Sequence, residues 1–231
     1  MVIIMRKILG LFIFICLIFS GNCFAMQFSQ PVEIGGIGVM QASGGGIYVD
    51  GADYNNGKFY TKYRKDNTRG YEEGIAGFGK GKDIIYVHYD YNVYEGFYFG
   101  GKDKNNTIKD DFPCYDIYKM NTNENITIYI LSKIYGPEFD YLIIGKRADG
   151  KFVKYIDTRE ITKRYFGWDI YGASPTIYAD LSVQGDTLVM KYNYRNRVNR
   201  TITEGRFIFK WDDKAQWFSV DKTVDHVRNG Y

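Results

Sequence analysis

The side chains best suited to bind a ligand surround His88, one of two histidines in the chain. Tyr86, His88 and Asp90 alternate along one apolar stretch, so a β-strand there directs all three to the same face. An imidazole beside a carboxylate can bind polar ligands, hold a metal or transfer protons. Together with Tyr94, these residues form the predicted ligand site. The simpler interpretation is the solvated face of a half-buried strand.

The sequence does not predict a metal centre. Zinc needs at least three strong ligands, and no second histidine lies near His88 in the sequence. The polar segment 102–111 supplies oxygen atoms but lacks the glycine and glutamate spacing of a calcium loop; the oxygens belong to Asp103, Asn105, Asp110 and Asp111. We therefore predict neither a metal nor a cofactor.

No catalytic signature occurs in the sequence. Cys114 needs a base to act as a nucleophile, and His88 is the histidine available to it. A small buried hydrophobe is the simpler role for this cysteine. The glycine-rich segment 74–81 lacks the hydroxyl residue and the following helix of a phosphate-binding loop. A glycosidase needs two carboxylates across a cleft, for which the candidates are Glu72, Glu73, Glu95, Glu138 and Asp140.

Tyrosine is the most distinctive component of the chain, with 22 residues. Its apolar ring and polar hydroxyl suit a platform for sugar or peptide ligands, although tyrosine is also favoured in strands for packing. The three tryptophans, Trp168, Trp211 and Trp217, are expected to pack in a core rather than bind sugars.

Hydrophobic alternation dominates the chain, and long helical periodicity is nearly absent. The clearest predicted strands are 83–91, 125–132, 141–146, 151–156, 176–183, 187–194, 202–210 and 216–220. Turn residues at 148–150, 184–186 and 212–214 join neighbouring strands as hairpins. The pattern predicts a mainly β protein, a single antiparallel β-sandwich or open barrel, with a small propeller-like arrangement as the alternative.

One short helix is predicted after Asp157, with Glu160 in the capping-box position and Gly167 at its end. The segment 35–46, which holds six glycines, and the polar segment 102–111 are expected to be surface loops. We expect residues 26–220 to form one β-rich globular domain and residues 221–231 a flexible C-terminal tail.

The first 25 residues have the three parts of a secretory signal peptide. Two basic residues precede an apolar run, and Ala25 is the small residue before the expected cleavage site. Two alternatives remain open, a lipoprotein with Cys23 as the modified residue and an uncleaved membrane anchor. Cleavage leaves Cys114 as the single cysteine, which excludes an internal disulfide, and lowers the net charge from +3 to +1.

A nearly neutral chain without a basic block is not typical of nucleic-acid-binding proteins. The sequence predicts an exported protein, periplasmic or secreted, whose mature chain has no transmembrane segment. Its predicted role is non-enzymatic, either binding or association with the cell envelope, and its expected partner is a glycan, a peptide or another envelope component. The alternatives are a hydrolase of envelope glycans or peptides and a purely structural protein.

Overall fold

The computed structural model describes residues 26–41, 47–52, 64–66, 71–91, 96–111, 114–122, 126–135, 138–167, 177–196 and 199–230. Strands dominate these residues. The elements are β1 (Val32–Gln41), β2 (Ile47–Ala52), β3 (Arg64–Asp66), β4 (Tyr71–Phe78), β5 (Ile85–Tyr91), β6 (Phe97–Gly100), β7 (Thr107–Asp110), β8 (Cys114–Asn121), β9 (Thr127–Tyr135), β10 (Glu138–Lys146), β11 (Phe152–Asp157), α1 (Thr158–Phe166), β12 (Ile177–Gln184), β13 (Thr187–Asn196), β14 (Thr201–Asp212) and β15 (Trp217–Asn229).

The strands form three antiparallel sheets, none of which closes on itself within the described part of the chain. The six-stranded sheet has the order β11-β10-β9-β8-β1-β2, the five-stranded sheet β3-β4-β5-β6-β7, and the four-stranded sheet β12-β13-β14-β15. Most neighbouring strands are consecutive in sequence, as hairpin connections require. The predicted mainly antiparallel β fold with one short helix is confirmed, and its sheets stack as in a sandwich.

The six-stranded sheet lies between the other two sheets. Strand β9 shows this most clearly, because its successive side chains enter different cores. Ile128 and Ile130 pack with α1 and the four-stranded sheet, whereas Tyr129 and Leu131 pack with the five-stranded sheet. A strand that is covered on both faces needs apolar residues at consecutive positions, which explains the uninterrupted run 128–131.

Tyrosine rings repeatedly lie over glycines of the neighbouring strand. Tyr89 is paired with Gly74, and Tyr192 is paired with Gly205. A β-carbon on either glycine would collide with the tyrosine side chain above it, so only glycine leaves room for the ring. The hydroxyl of Tyr192 also donates a hydrogen bond to the carbonyl oxygen of Thr223 in β15, at 2.8 Å.

The expectation of a surface loop at 35–46 is wrong for its first half, because residues up to Gln41 belong to β1. Ile37 is buried within this strand, which pairs with β8. At Gly36 a β-carbon would lie 3.2 Å from the carbonyl oxygen of Tyr115, so glycine permits the close approach of the two strands. Residues 42–46 lie outside the described part of the chain.

Two other segments, expected to be a surface loop and a flexible tail, also contain strands. The polar segment 102–111 contains β7, which is paired with β6. The expected tail from residue 221 is the second half of β15, which is paired with β14 as far as Asn229. A long neighbouring strand offers backbone hydrogen bonds along its whole length, and these can hold a polar sequence in a strand without an apolar pattern.

Helix α1 begins and ends at the predicted residues. The carboxylate of Asp157 accepts a hydrogen bond from the backbone N–H of Arg159 at 3.1 Å, which caps the first turn. Gly167 ends the helix with a φ of 74°, a backbone conformation that glycine adopts without strain. Glu160, which was expected in the capping box, binds the ammonium group of Lys154 at 2.6 Å.

A buried ammonium group connects the central sheet to its neighbours. The side chain of Lys133 in β9 is 1% exposed, and its Nζ lies 2.8 Å from Oδ2 of Asp110 in β7 and 3.7 Å from Oδ1 of Asp157. One cation therefore joins the five-stranded sheet, the six-stranded sheet and the N-terminus of α1. Removing the ammonium group would leave two largely buried carboxylates without this counter-ion. The loss of stability is then far larger than the loss from breaking an exposed ion pair.

Replacing Lys133 with methionine is expected to lower the free energy of unfolding by about 3–5 kcal/mol. The matched control is Lys119→Met in β8, because Lys119 pairs with Asp83 at 2.9 Å but keeps 20% of its side chain exposed. The control should lose no more than about 1 kcal/mol. Urea unfolding measures both, and equal losses would contradict the layer-joining role of Lys133.

Asp140 in β10 lies opposite Lys133 and belongs to the same charged cluster. Its Oδ1 accepts a hydrogen bond from Oγ1 of Thr158 at 3.2 Å. Burial raises the pKa of Asp140 above its ordinary value, and the attraction of Lys133 offsets this only in part. The folded protein therefore binds this proton more tightly than the unfolded chain, so this residue makes the fold less stable as pH rises through its raised pKa.

Replacing Asp140 with asparagine is expected to remove that part of the pH dependence. The stability of Asp140→Asn relative to the unaltered protein should increase between about pH 4.5 and about pH 7.5, because only the unaltered protein loses the proton. Urea unfolding at both pH values gives the comparison, with the exposed Asp221→Asn as control. A stability difference that is the same at both values would show that Asp140 has an ordinary pKa.

Candidate functional site

Strand β5 places two of the predicted site residues side by side on an outer surface. Ile85, Val87 and Tyr89 of this strand are buried against the central sheet. Tyr86 and His88 alternate with them and are half-buried, so they lie on the face of the five-stranded sheet that points away from the core. We call this surface, formed by Tyr86, His88, Tyr98, Lys104 and Lys109, the His88 face.

The backbone of the loop after β6 fixes the imidazole of His88. Its Nε2 lies 3.0 Å from the carbonyl oxygen of Gly101. Because a carbonyl oxygen only accepts, this hydrogen bond requires the proton on Nε2. The neutral imidazole then has a lone pair on Nδ1. The neutral form of His88 therefore carries an unprotonated Nδ1 on a ring whose orientation is set by Gly101.

Tyr98 lies directly opposite His88 across β5 and β6, and opposite Lys109 across β6 and β7. The Nζ atom of Lys104 is 4.4 Å from the centre of the Tyr98 ring, and that of Lys109 is 5.4 Å from it. The negative ring face attracts both ammonium groups and holds them beside His88. Both lysines are exposed, so the His88 face presents positive charge next to a hydrogen-bond acceptor.

The loop that holds His88 is itself attached to the central sheet. The N–H of Gly101 donates to the carbonyl oxygen of Asn106 at 2.8 Å. The side-chain amide of Asn106 donates to the carbonyl oxygen of Gly150 at 2.9 Å and accepts from the N–H of Phe152 at 3.0 Å. These bonds connect the β6–β7 loop to the β10–β11 hairpin, so the position of His88 depends on both sheets.

The structure covers only part of the predicted site. Asp90 belongs to β5, but its side chain and the whole of Tyr94 lie outside the described part of the chain. The predicted site did not include Tyr98. Its position between Phe97 and Phe99 indicates that, in a strand, it lies on the face opposite to theirs, and this pattern could have identified it. Sequence reasoning missed Lys104 and Lys109 because their contacts with Tyr98 depend on the pairing of β6 with β7 and on the loop between them.

The structure separates Cys114 from His88. Cys114 has the strand parity of Tyr118 and Met120, which pack toward the four-stranded sheet, whereas His88 lies on the far side of the five-stranded sheet. A Cys114–His88 pair is therefore excluded. Of the five candidate glycosidase carboxylates, only Asp140 has a described side chain, and it lies in the cluster around Lys133.

Metal binding has no support in the described residues, where no group of three or more histidine, cysteine or acidic side chains is arranged to hold an ion. Asp110, one of the residues considered for calcium, binds Lys133. The segment 74–81 forms most of β4 followed by a turn, which lacks the helix N-terminus of a phosphate-binding loop. Among the described helices, none is long and apolar enough to cross a membrane.

The fold and site define the molecule as a layered antiparallel β protein with a polar, aromatic outer face. No protein family, curated protein or solved structure matches the chain. Its own side chains are therefore the guide to its function.

Proposed function

We propose that the protein is an exported, non-enzymatic binding protein that holds a glycan or peptide component of the cell envelope on the His88 face. The observation that carries this proposal is the hydrogen bond between His88 and Gly101, which leaves Nδ1 as an acceptor beside Tyr98 and its two lysines. Fixing a polar side chain before the ligand arrives lowers the entropy cost of binding.

The chemistry of the His88 face matches that class of ligand. Glycans and peptides carry O–H and N–H groups that can donate to Nδ1 of His88. They also commonly carry carboxylates, which the ammonium groups of Lys104 and Lys109 can bind. The tyrosines combine a ring with a polar hydroxyl, which suits ligands that remain partly hydrated.

Replacing His88 with alanine is expected to weaken binding of peptidoglycan fragments released by muramidase by about three- to tenfold, the loss of one hydrogen bond. Tyr98→Ala should weaken it at least as much, because it removes the ring that holds both lysines. His226→Ala, in β15 on another sheet, is the control. Isothermal titration calorimetry gives the affinities. No binding by the unaltered protein, or equal affinity for His88→Ala, would refute the proposal.

We also propose that the protein is exported, because residues 1–25 have the sequence pattern of a signal peptide. Met26, the residue after the expected cleavage site, is 1% exposed and packs in the core beneath the four-stranded sheet. Under this proposal the mature chain begins at a residue that packs in the core.

Expression of the full chain in a bacterium is expected to give a protein outside the cytoplasm that begins at Met26. Intact-mass spectrometry of the periplasmic and secreted fractions measures the cleavage point. Ala25→Arg should block cleavage, because the peptidase requires a small residue there. A lipid-modified chain beginning at Cys23 would favour the lipoprotein alternative, and an unprocessed chain in the cytoplasm would contradict export.

A further inference from the structure

Strand β15 is paired on one side only among the described strands. It pairs with β14 from Trp217 to Asn229, and it ends the four-stranded sheet. Its first residues lie against β11, because the ring of Tyr155 is 5.1 Å from that of Trp217. Trp217 is nevertheless 43% exposed, although the sequence predicts it to pack in a core. In the second half of β15, residues 224–229 are all exposed, so this half presents backbone N–H and C=O groups along its outer edge.

A β-bulge brings two exposed valines of this half to the same face of the sheet. Val224 is 51% exposed and Val227 is 63% exposed. In a regular strand, two residues three positions apart lie on opposite faces. Here Val224 is paired with Gly205 and Val227 with Thr203, because β15 carries one extra residue at this point. Paired residues share a face, so both valines point to the same side.

The apolar surface continues from these valines onto α1. Phe207 lies on the same face as Gly205 and packs against Tyr165 of α1, at 5.3 Å between ring centroids. Tyr165 is itself 38% exposed. Of the five large apolar side chains that are exposed among the described residues, Tyr165, Val224 and Val227 therefore lie on one side of one sheet. Exposed apolar residues that gather in this way mark an interaction surface.

The charges of β15 do not block its outer edge. Arg228 donates to the carboxylate of Glu204 at 3.0 Å, and Arg206 donates to that of Asp225 at 2.9 Å. Both ion pairs join β15 to β14, so the side chains of Arg228 and Asp225 lean towards β14 and away from the edge. Residues 221–229 contain two acidic and two basic residues. This balance means that a second copy of the same segment is not repelled.

We propose that the second half of β15 pairs antiparallel with the same segment of a second copy of the chain. The pairing joins two four-stranded sheets into one continuous sheet, and it places Val224 of each copy opposite Val227 of the other. The four valines then form one apolar cluster on the side that carries α1. Backbone hydrogen bonds between the two edges add to this contact, as in other cases of strand addition. A twofold arrangement is closed, so assembly stops at the dimer.

The register that opposes the valines also suits the polar residues. Counted along the two strands, it places Asp225 of each copy opposite His226 of the other, and Thr223 opposite Arg228. Lys222 then lies opposite Asn229. No two side chains of like charge face each other, which would destabilise a pair of strands. An acidic or basic partner would not match this balanced edge as well as a second copy does.

Sedimentation velocity of the purified protein over a range of concentrations tests the dimer. We expect a dissociation constant of about 1–100 μM, because a single pair of strands makes a small interface. Changing both Val224→Lys and Val227→Lys should weaken dimerisation about a hundredfold, since four ammonium groups would then meet at the axis. Both positions are exposed, so the monomer should keep its far-UV circular dichroism spectrum. The matched control is Val32→Lys in β1, a valine 58% exposed, which should dimerise like the unaltered protein.

Cysteine cross-linking tests the register. In a Cys114→Ser background, proteins with Val224→Cys and Val227→Cys are oxidised with glutathione disulfide, separately and as an equimolar mixture. Only the mixture sets the two thiols opposite each other at a distance that a disulfide can span. The mixture should therefore form a covalent dimer at least about tenfold faster than either protein alone.

Three results would overturn the inference. They are a protein that stays monomeric at every concentration, a dimer that the paired lysine substitutions leave unchanged, and cross-linking that is as fast in one cysteine variant alone as in the mixture. The first result would leave β15 to a strand from another protein or without any occupant. The dimer does not depend on the His88 face, so His88→Ala should dimerise normally, and either proposal can fail while the other stands.

Discussion

The buried ammonium group of Lys133 determines how the outer sheet is attached to the rest of the molecule. Its contact with Asp110 fixes which face of β7 points inward. Because side chains alternate along a strand, Lys109 must then point outward, toward the ring of Tyr98. A slip of one residue in β7 would bury Lys109 and expose Asp110, and the His88 face would lose one of its cations. The same interaction that joins the layers therefore sets the charge of the proposed binding surface.

Tyrosine has two roles in this structure, and the partner of its hydroxyl distinguishes them. Where a ring lies over a glycine and its hydroxyl is satisfied, as for Tyr192, the residue stabilises the pairing of strands. Tyr155 also lies over a glycine, Gly145, but its buried hydroxyl is unpartnered among the described residues. The abundance of tyrosine thus reflects packing first.

The sequence predicted the features that depend on residues close together in the chain, because hydrophobic alternation and turn residues are local signals. It predicted that Tyr86 and His88 share one strand face and that Asp157 caps α1. It could not predict contacts between distant strands, such as Lys133 with Asp110 or Tyr98 with His88, since these depend on sheet order and register. It was wrong about β1, because the glycines before Gln41 look like a loop until β8 is seen beside them. The unpartnered hydroxyl of Tyr155 likewise becomes visible only in the assembled core.

The proposed function requires the His88 face to present an oriented acceptor to a ligand. The most direct measurement is a long-range ¹H–¹⁵N correlation spectrum of the imidazole groups, recorded with and without muramidase-released peptidoglycan fragments. Our account predicts that neutral His88 carries its proton on Nε2, and that its unprotonated Nδ1 signal moves when the fragments bind. The His226 signals should not move. A proton on Nδ1 of His88, or an Nδ1 signal unchanged at saturating ligand, would contradict the account.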